Sequence, residues 1–185
     1  MLGEILLLIL FFSFPTQTTS NAYDDADAYE VYATILPSEW PLRVAHAKKI
    51  VIRRETRFFQ MCLKPDPESE ARFAPAIADY IKQNKKKWLL QPKFSLATPY
   101  QFFEGGFDDV VKQGGWEQYY RQYQDSGGLI EFSAVGFNVD KTVAVVYMGH
   151  GCGSLCGGGG FHTLKKVDGK WKPFEWKGQS CGWAS

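Results

Sequence analysis

No sign of charge predominates in these 185 residues: 21 Lys and Arg stand against 20 Asp and Glu. That balance argues against the strongly basic surface on which binding to nucleic acid or an anionic membrane depends. Long apolar runs are lacking too. The run Ile5 to Phe14, with Ser13 inside it, is half of the roughly 20 residues a helix needs to cross a bilayer. Cysteine is sparse and late: there are four, the first is Cys62, and none near the N-terminus offers a site for a lipid anchor. There is no internal repeat and no low-complexity linker. Nucleotide motifs fail as well. Gly151-x-Gly153-x-x-Cys156 misses the third glycine of a dinucleotide fingerprint, and no lysine follows the glycines as in a phosphate loop.

What is present at the N-terminus reads as a secretory signal. A short apolar run is followed by a polar stretch and by Ser20 and Ala22 at the −3/−1 spacing of a cleavage site. The segment before the run carries Glu4 and no Lys or Arg, a departure from the usual signal. Glu4 is the only charge in residues 1–22, so their removal would move the net charge from +1 to +2. The expected protein is exported, periplasmic or extracellular, with no membrane span after processing. Residues 23–185 form one domain, long enough for a real core. In an oxidising compartment four cysteines favour two disulfides, with three possible connectivities. Cys152 and Cys156 are close enough to bridge locally, which would leave Cys62 to pair with Cys181.

The pattern of elements predicts α+β. Asp24, Asp25 and Asp27 suit a helix start, and Tyr29, Tyr32 and Leu36 follow at near-helical spacing until Pro37 and Pro41 stop it. Ile50-Val51-Ile52 reads as a strand and residues 64–70 as a loop. A second helix runs from Pro75 to about Lys87, and Phe94 to Thr98 reads as a strand. Two short helices, Phe107 to Gln113 and Trp116 to Tyr123, are split by Gly114-Gly115. The second carries Trp116, Tyr119, Tyr120 and Tyr123 as a core stripe. An antiparallel β-meander fills the C-terminal third: Leu129 to Asn138, Thr142 to Met148, Phe161 to Lys166, then Lys170 to Glu175 after an Asp168-Gly169 hairpin turn.

Chemistry-bearing residues concentrate in His150 to His162, which holds two of the three histidines, two of the four cysteines and six glycines. Glycine permits close backbone approach, so the segment reads as a shaped loop rather than a packed element. It admits three uses. Cys152–Cys156 as a structural disulfide is the reading preferred for an exported chain. His150, Cys152, Cys156 and His162 have the residue types of a zinc site, although the spacing is no standard finger. A cysteine nucleophile with His150 or His162 as its base lacks a nearby Asn or Asp to orient it. Lys48-Lys49, Arg53-Arg54 and Lys85-Lys86-Lys87 read as solvated basic ends rather than a nucleic-acid surface. No spacing of carboxylates argues for acid–base work.

The runs Ser133-Ala134-Val135-Gly136-Phe137-Asn138, Ala144-Val145-Val146-Tyr147, Cys152-Gly153-Ser154-Leu155-Cys156-Gly157 and Gly169-Lys170-Trp171-Lys172 resemble an uncharacterised family of exported bacterial proteins. Weaker likeness extends to Tyr29-Glu30-Val31-Tyr32, Ile50-Val51-Ile52, Thr56 and Tyr80-Ile81-Lys82-Gln83-Asn84. The resemblance implies export and a single domain, and carries no catalytic residue.

The sequence thus points to an exported, disulfide-containing domain that binds another protein or a glycan without catalysis, with no cofactor and no resident metal. Its expected surface comprises His150, Cys152, Cys156, His162, Trp176 and Trp183. The alternative is a zinc protein or a Cys/His-dependent enzyme centred on residues 150–162.

Overall fold

A computed structural model of the chain describes residues 21–43, 47–60, 62–65, 67–176 and 178–185. The expected signal segment, residues 1–22, lies outside the described residues except for Asn21 and Ala22. The elements in chain order are β1 (Ala22–Tyr23), α1 (Ala26–Arg43), β2 (Lys49–Arg53), β3 (Lys64–Pro65) and α2 (Pro67–Gln83). Then come β4 (Leu89–Leu90), β5 (Tyr100–Phe103), α3 (Phe107–Lys112), α4 (Gly115–Gln122) and β6 (Ser126–Phe132). The last third holds β7 (Gly136–Phe137), β8 (Val143–Gly153), β9 (Cys156–Val167), β10 (Lys170–Pro173), β11 (Gly178–Gln179) and β12 (Gly182–Ala184). The class is α+β.

The sheet is mixed rather than a purely antiparallel meander. Its order is β10-β9-β8-β6-β2-β5, with β7 also on β8 and β12 also on β9. The N-terminal strand β2 runs parallel to both β5 and β6, because the chain returns to the sheet each time through a crossover rather than a tight turn. Ile50, Val51 and Ile52 are all buried, as a strand covered on both faces requires.

Alternation along the strands separates two cores. One face gathers Ile50, Ile52, Ile130, Phe132, Ala144, Val146, Met148 and Leu164 against Tyr29, Tyr32, Ile35 and Leu36 of α1. The other packs Val51 and Leu129 on Val110 and Tyr119 of α3 and α4, and Val143 and Val145 on Phe73 and Ala76 of α2. The stripe of Trp116, Tyr119, Tyr120 and Tyr123 belongs to this second face.

Four local expectations change. Helix α1 continues through Pro37 and Pro41 to Arg43, since burial of Val31, Tyr32, Ile35 and Leu36 anchors it and packing overrides local propensity. Helix α2 starts at Pro67 and takes Pro75 into its interior, which shortens the expected loop at 64–70. Phe94 sits in no strand; its ring fills the α1-side core against Tyr29, 5.1 Å away, and Tyr32, 5.7 Å away. The expected strand 129–138 breaks at Ser133–Val135, where side chains replace the ladder. Asn84 Nδ2 donates to the Ala134 carbonyl and its Oδ1 accepts the Ala134 N–H, while the Tyr23 hydroxyl accepts the Val135 N–H. Beyond the break, Gly136 lies so close to α2 that a Cβ there would overlap the Ala76 carbonyl and the Tyr80 nitrogen.

One ion cluster ties α1 to the far end of the sheet. Lys166 Nζ is 2.6 Å from Asp27, and Lys141 Nζ is 2.9 Å from Asp25 and 3.4 Å from Asp27. Burial alone would raise the Asp27 carboxyl, but the Lys166 contact and the charge of Lys141 outweigh it and hold it below its usual 3.8. A depressed carboxylate contributes stability that is full above the ordinary carboxylate range and is lost as pH falls through the lowered value. Asp27→Asn is therefore expected to cost about 1 kcal/mol at pH 7. In urea titrations the gap to wild type should close below roughly pH 4; a gap constant from pH 7 to pH 3 contradicts this account.

Candidate binding site

The segment expected as a loop is the end of a long hairpin. β8 and β9 stay in register from Val143↔Lys165 to Gly151↔Gly157, shift by a bulge, and close with Gly153 against Cys156. Glycine at 157–160 therefore lies in a strand. Large neighbours occupy the space that side chains would take: a Cβ on Gly157 would come within 3.0 Å of the Trp183 ring, and one on Gly159 within 2.9 Å of Trp183 Nε1 and onto the Tyr147 hydroxyl.

Cys152 and Cys156 stand at disulfide separation across the tip, Cα atoms 5.0 Å apart. Cys62 and Cys181 do so as well, at 5.9 Å, next to the strand that carries Trp183. The tip is also fastened from below. The Tyr120 hydroxyl donates to the Cys152 carbonyl at 3.0 Å, and Gly151 rests on the Phe107 ring, which a Cβ would meet at 2.8 Å. Phe107 in turn lies 6.4 Å from Trp183 and 6.5 Å from Trp116, ring centre to ring centre. Phe107, Trp116 and Tyr120 are half-buried. Above them Leu155 is 88% exposed and Trp183 41% exposed.

On the α2-side face of β8, Tyr147 stacks on Phe59, centroids 3.5 Å apart, and its hydroxyl accepts the Trp183 indole N–H at 2.6 Å. Burial raises the Tyr147 phenol; the Trp183 contact and Arg57 lower it in part. Burial raises Tyr120 too. Both are neutral hydroxyls at neutral pH, suited to hydrogen bonding rather than to proton abstraction.

A cleft of about 200 Å³ is lined by Leu36, Ile130, Met148, His150, His162 and Trp183 over Gly158–Gly160 and Phe161; Met148, His150 and His162 reach it from the face of the hairpin opposite Tyr147. His150 is buried, its Nε2 2.7 Å from the Gly127 carbonyl. A carbonyl only accepts, so that nitrogen carries the proton. His162 is half-buried and pairs with Val146.

The sequence-predicted residues are thus only partly brought together. Cys152, Cys156 and Trp183 meet at the tip, and His150 and His162 line the cleft. Trp176 lies elsewhere: it is half-buried and packs on Phe73 at 5.2 Å. The four-ligand zinc set does not assemble. Cys152 stands at disulfide separation from Cys156, and six residues of strand, roughly 20 Å, separate Cys156 from His162. Among the described residues no group of three or more His, Cys, Asp and Glu could hold a metal ion. Two features escaped sequence reading: the aromatic patch, which draws Phe107, Trp116 and Trp183 from distant segments, and the fully buried carboxylate of Glu131, paired with Arg53 and Arg57. Ion pairing between strands leaves no spacing signal.

Compared with models of protein families, with curated proteins and with solved structures, the chain finds no match.

Proposed function

We propose that this protein is an exported binding domain that recognises another protein or a glycan through the clasped hairpin tip, without catalysis. The observation that carries the reading is Leu155, a large apolar side chain held in water on a tip with both strands fixed beneath it. A glycine-rich tip loses about 1–2 kcal/mol of backbone entropy per residue when ordered. Clasping it before a partner arrives lowers the ordering cost of binding. Trp183 and the half-buried Phe107 and Trp116 beside it supply the ring surface that interfaces and sugar faces favour.

Export supports the clasp, since thiols stay paired in oxidising compartments. The apolar run Ile5 to Phe14 and the likeness to exported bacterial proteins support export in turn.

The test begins with intact mass of the secreted protein before and after alkylation, which should give two disulfides and no added label. Binding to displayed oligosaccharides, and crosslinking to neighbours on native cells, should then be saturable and be lost in Leu155→Ser and Trp183→Ala. Cys152→Ser/Cys156→Ser should retain the fold, since so short a closed loop contributes about 2 kcal/mol at best, and weaken binding about tenfold. Four reduced thiols in the secreted protein, or turnover of a substrate abolished by Cys152→Ser or His150→Ala, would defeat the reading.

A further inference from the structure

We propose that the cleft between α1 and the β8–β9 hairpin is a second binding site, which takes a single aromatic ring. It faces away from the Tyr147 side of the hairpin and does not depend on the tip reading above.

Size sets the first limit. The cleft holds about 200 Å³. An apolar cavity of about 150 Å³ accommodates benzene, whereas drug-sized ligands need roughly 300 Å³ or more. One ring with a small substituent fits; two fused to a chain do not.

The walls set the second. Leu36 of α1, Ile130 of β6 and Met148 of β8 are apolar, and a thioether contacts ring edges favourably. A sugar ring of equal size would lose hydrogen bonds for its hydroxyls against Leu36, Ile130 and Met148. The floor sets the third. Gly158 and Gly160 are successive residues on one face of β9, paired with His150 and Met148, so two side-chain positions in a row are bare backbone. That strip is flat, and a planar ring can lie on it. His150 and His162 flank it, one on β8 beside Gly158 and one on β9 next to Gly160 on the same face.

The ring can reach the site on a free phenol or on a tyrosine side chain of a peptide, and the two sources are separable. Three methionines occur in the chain, and Met148 lines the cleft, so methionine carrying a ¹³C-labelled methyl group gives a local reporter, with Met148→Leu to assign its signal. The protein is titrated with 4-methylphenol, with a capped tripeptide bearing a central tyrosine, and with methyl glucoside. A saturable ring-current shift of the Met148 methyl is expected with the phenol or the peptide; whichever produces it names the source.

Gly160→Val should weaken that binding at least about tenfold. A Cβ at Gly160 meets nothing closer than 3.9 Å and its φ is ordinary, so the valine folds and fills the cleft. Gly160→Ala should fall between valine and wild type, and Leu155→Ser should titrate like wild type. No saturable Met148 shift with either ring, saturation by the glucoside instead, or an unchanged titration in Gly160→Val overturns the proposal. Failure of tip binding with the phenol titration intact leaves it standing.

Discussion

Glu131→Gln is expected to cost about 3–5 kcal/mol of folding stability, the range for removing one member of a buried ion pair. The carboxylate is fully buried in β6. Its Oε1 accepts from Arg53 Nη1 at 3.1 Å and from the Phe107 N–H at 3.3 Å, and its Oε2 accepts from Arg57 Nη1 at 2.9 Å. Gly106 passes close by, where a Cβ would fall 2.7 Å from Arg53 Nη1. The amide that replaces the carboxylate presents an NH2 donor to guanidinium donors, and Arg53, 14% exposed, loses its buried counter-charge. Glu104→Gln is the control. Its pair with Arg54 is exposed on both sides, at 69% and 37%, and the expected loss is under about 1 kcal/mol. Urea unfolding of the two variants decides the matter: equal losses would mean that the Glu131 cluster is no stronger than a surface pair. Coupling to Arg57 is expected as well. The loss in Arg57→Ala/Glu131→Gln should be smaller than the sum of the single losses, because each removes the same contact. The effect reaches the tip, since Glu131 holds the start of α3, and α3 places Phe107 under Gly151.

The same residues explain what the sequence could and could not reveal. Ile50-Val51-Ile52 reads as a strand because all three side chains are apolar and branched, and burial on both faces demands nothing else. Asp168-Gly169 reads as a turn because both positions need positive φ, 52° and 74° here. The four-residue tyrosine and tryptophan stripe of α4 is legible from its period. Parallel pairing of β2 with β5 and β6 is not, since nothing local to residues 49–53 states which distant strand lies beside them. Nor is the break at Ser133–Val135, which depends on Asn84 and Tyr23 arriving from elsewhere. At the site, the cysteine spacing located the tip but its glycines suggested a loop. In a strand, glycine serves instead as room for a neighbour, and Trp183 and Tyr147 fill that room from 36 positions apart in the chain.

Which glycines matter most follows from that distinction, and it predicts the second large effect outside the glycine run. Gly128→Ala is expected to destabilise by about 4 kcal/mol or more and to detach the tip. Gly128 lies in β6 with φ 105°, where an L side chain is strained, and a Cβ there would overlap the Gly151 carbonyl and come within 3.0 Å of Cys152 Cα. Neither neighbour can swing aside, because both are backbone of β8 in register with β6: Leu129 pairs with Gly151 and Ile130 with His150. Gly115→Ala isolates the backbone part of the penalty. Gly115 also has positive φ, 78°, but nothing stands within 4 Å of its Cβ position, so its loss should stay near 1 kcal/mol. The difference between the two variants measures the clash itself. Hydrogen exchange should locate it: in Gly128→Ala the amides of residues 149–153 and 156–159 lose protection first, while those of β2 and the α1-side core hold until global unfolding. Equal protection across β8, or a Gly128→Ala loss no larger than that of Gly115→Ala, would mean that the tip does not rest on β6 and that the clasp alone gives it shape.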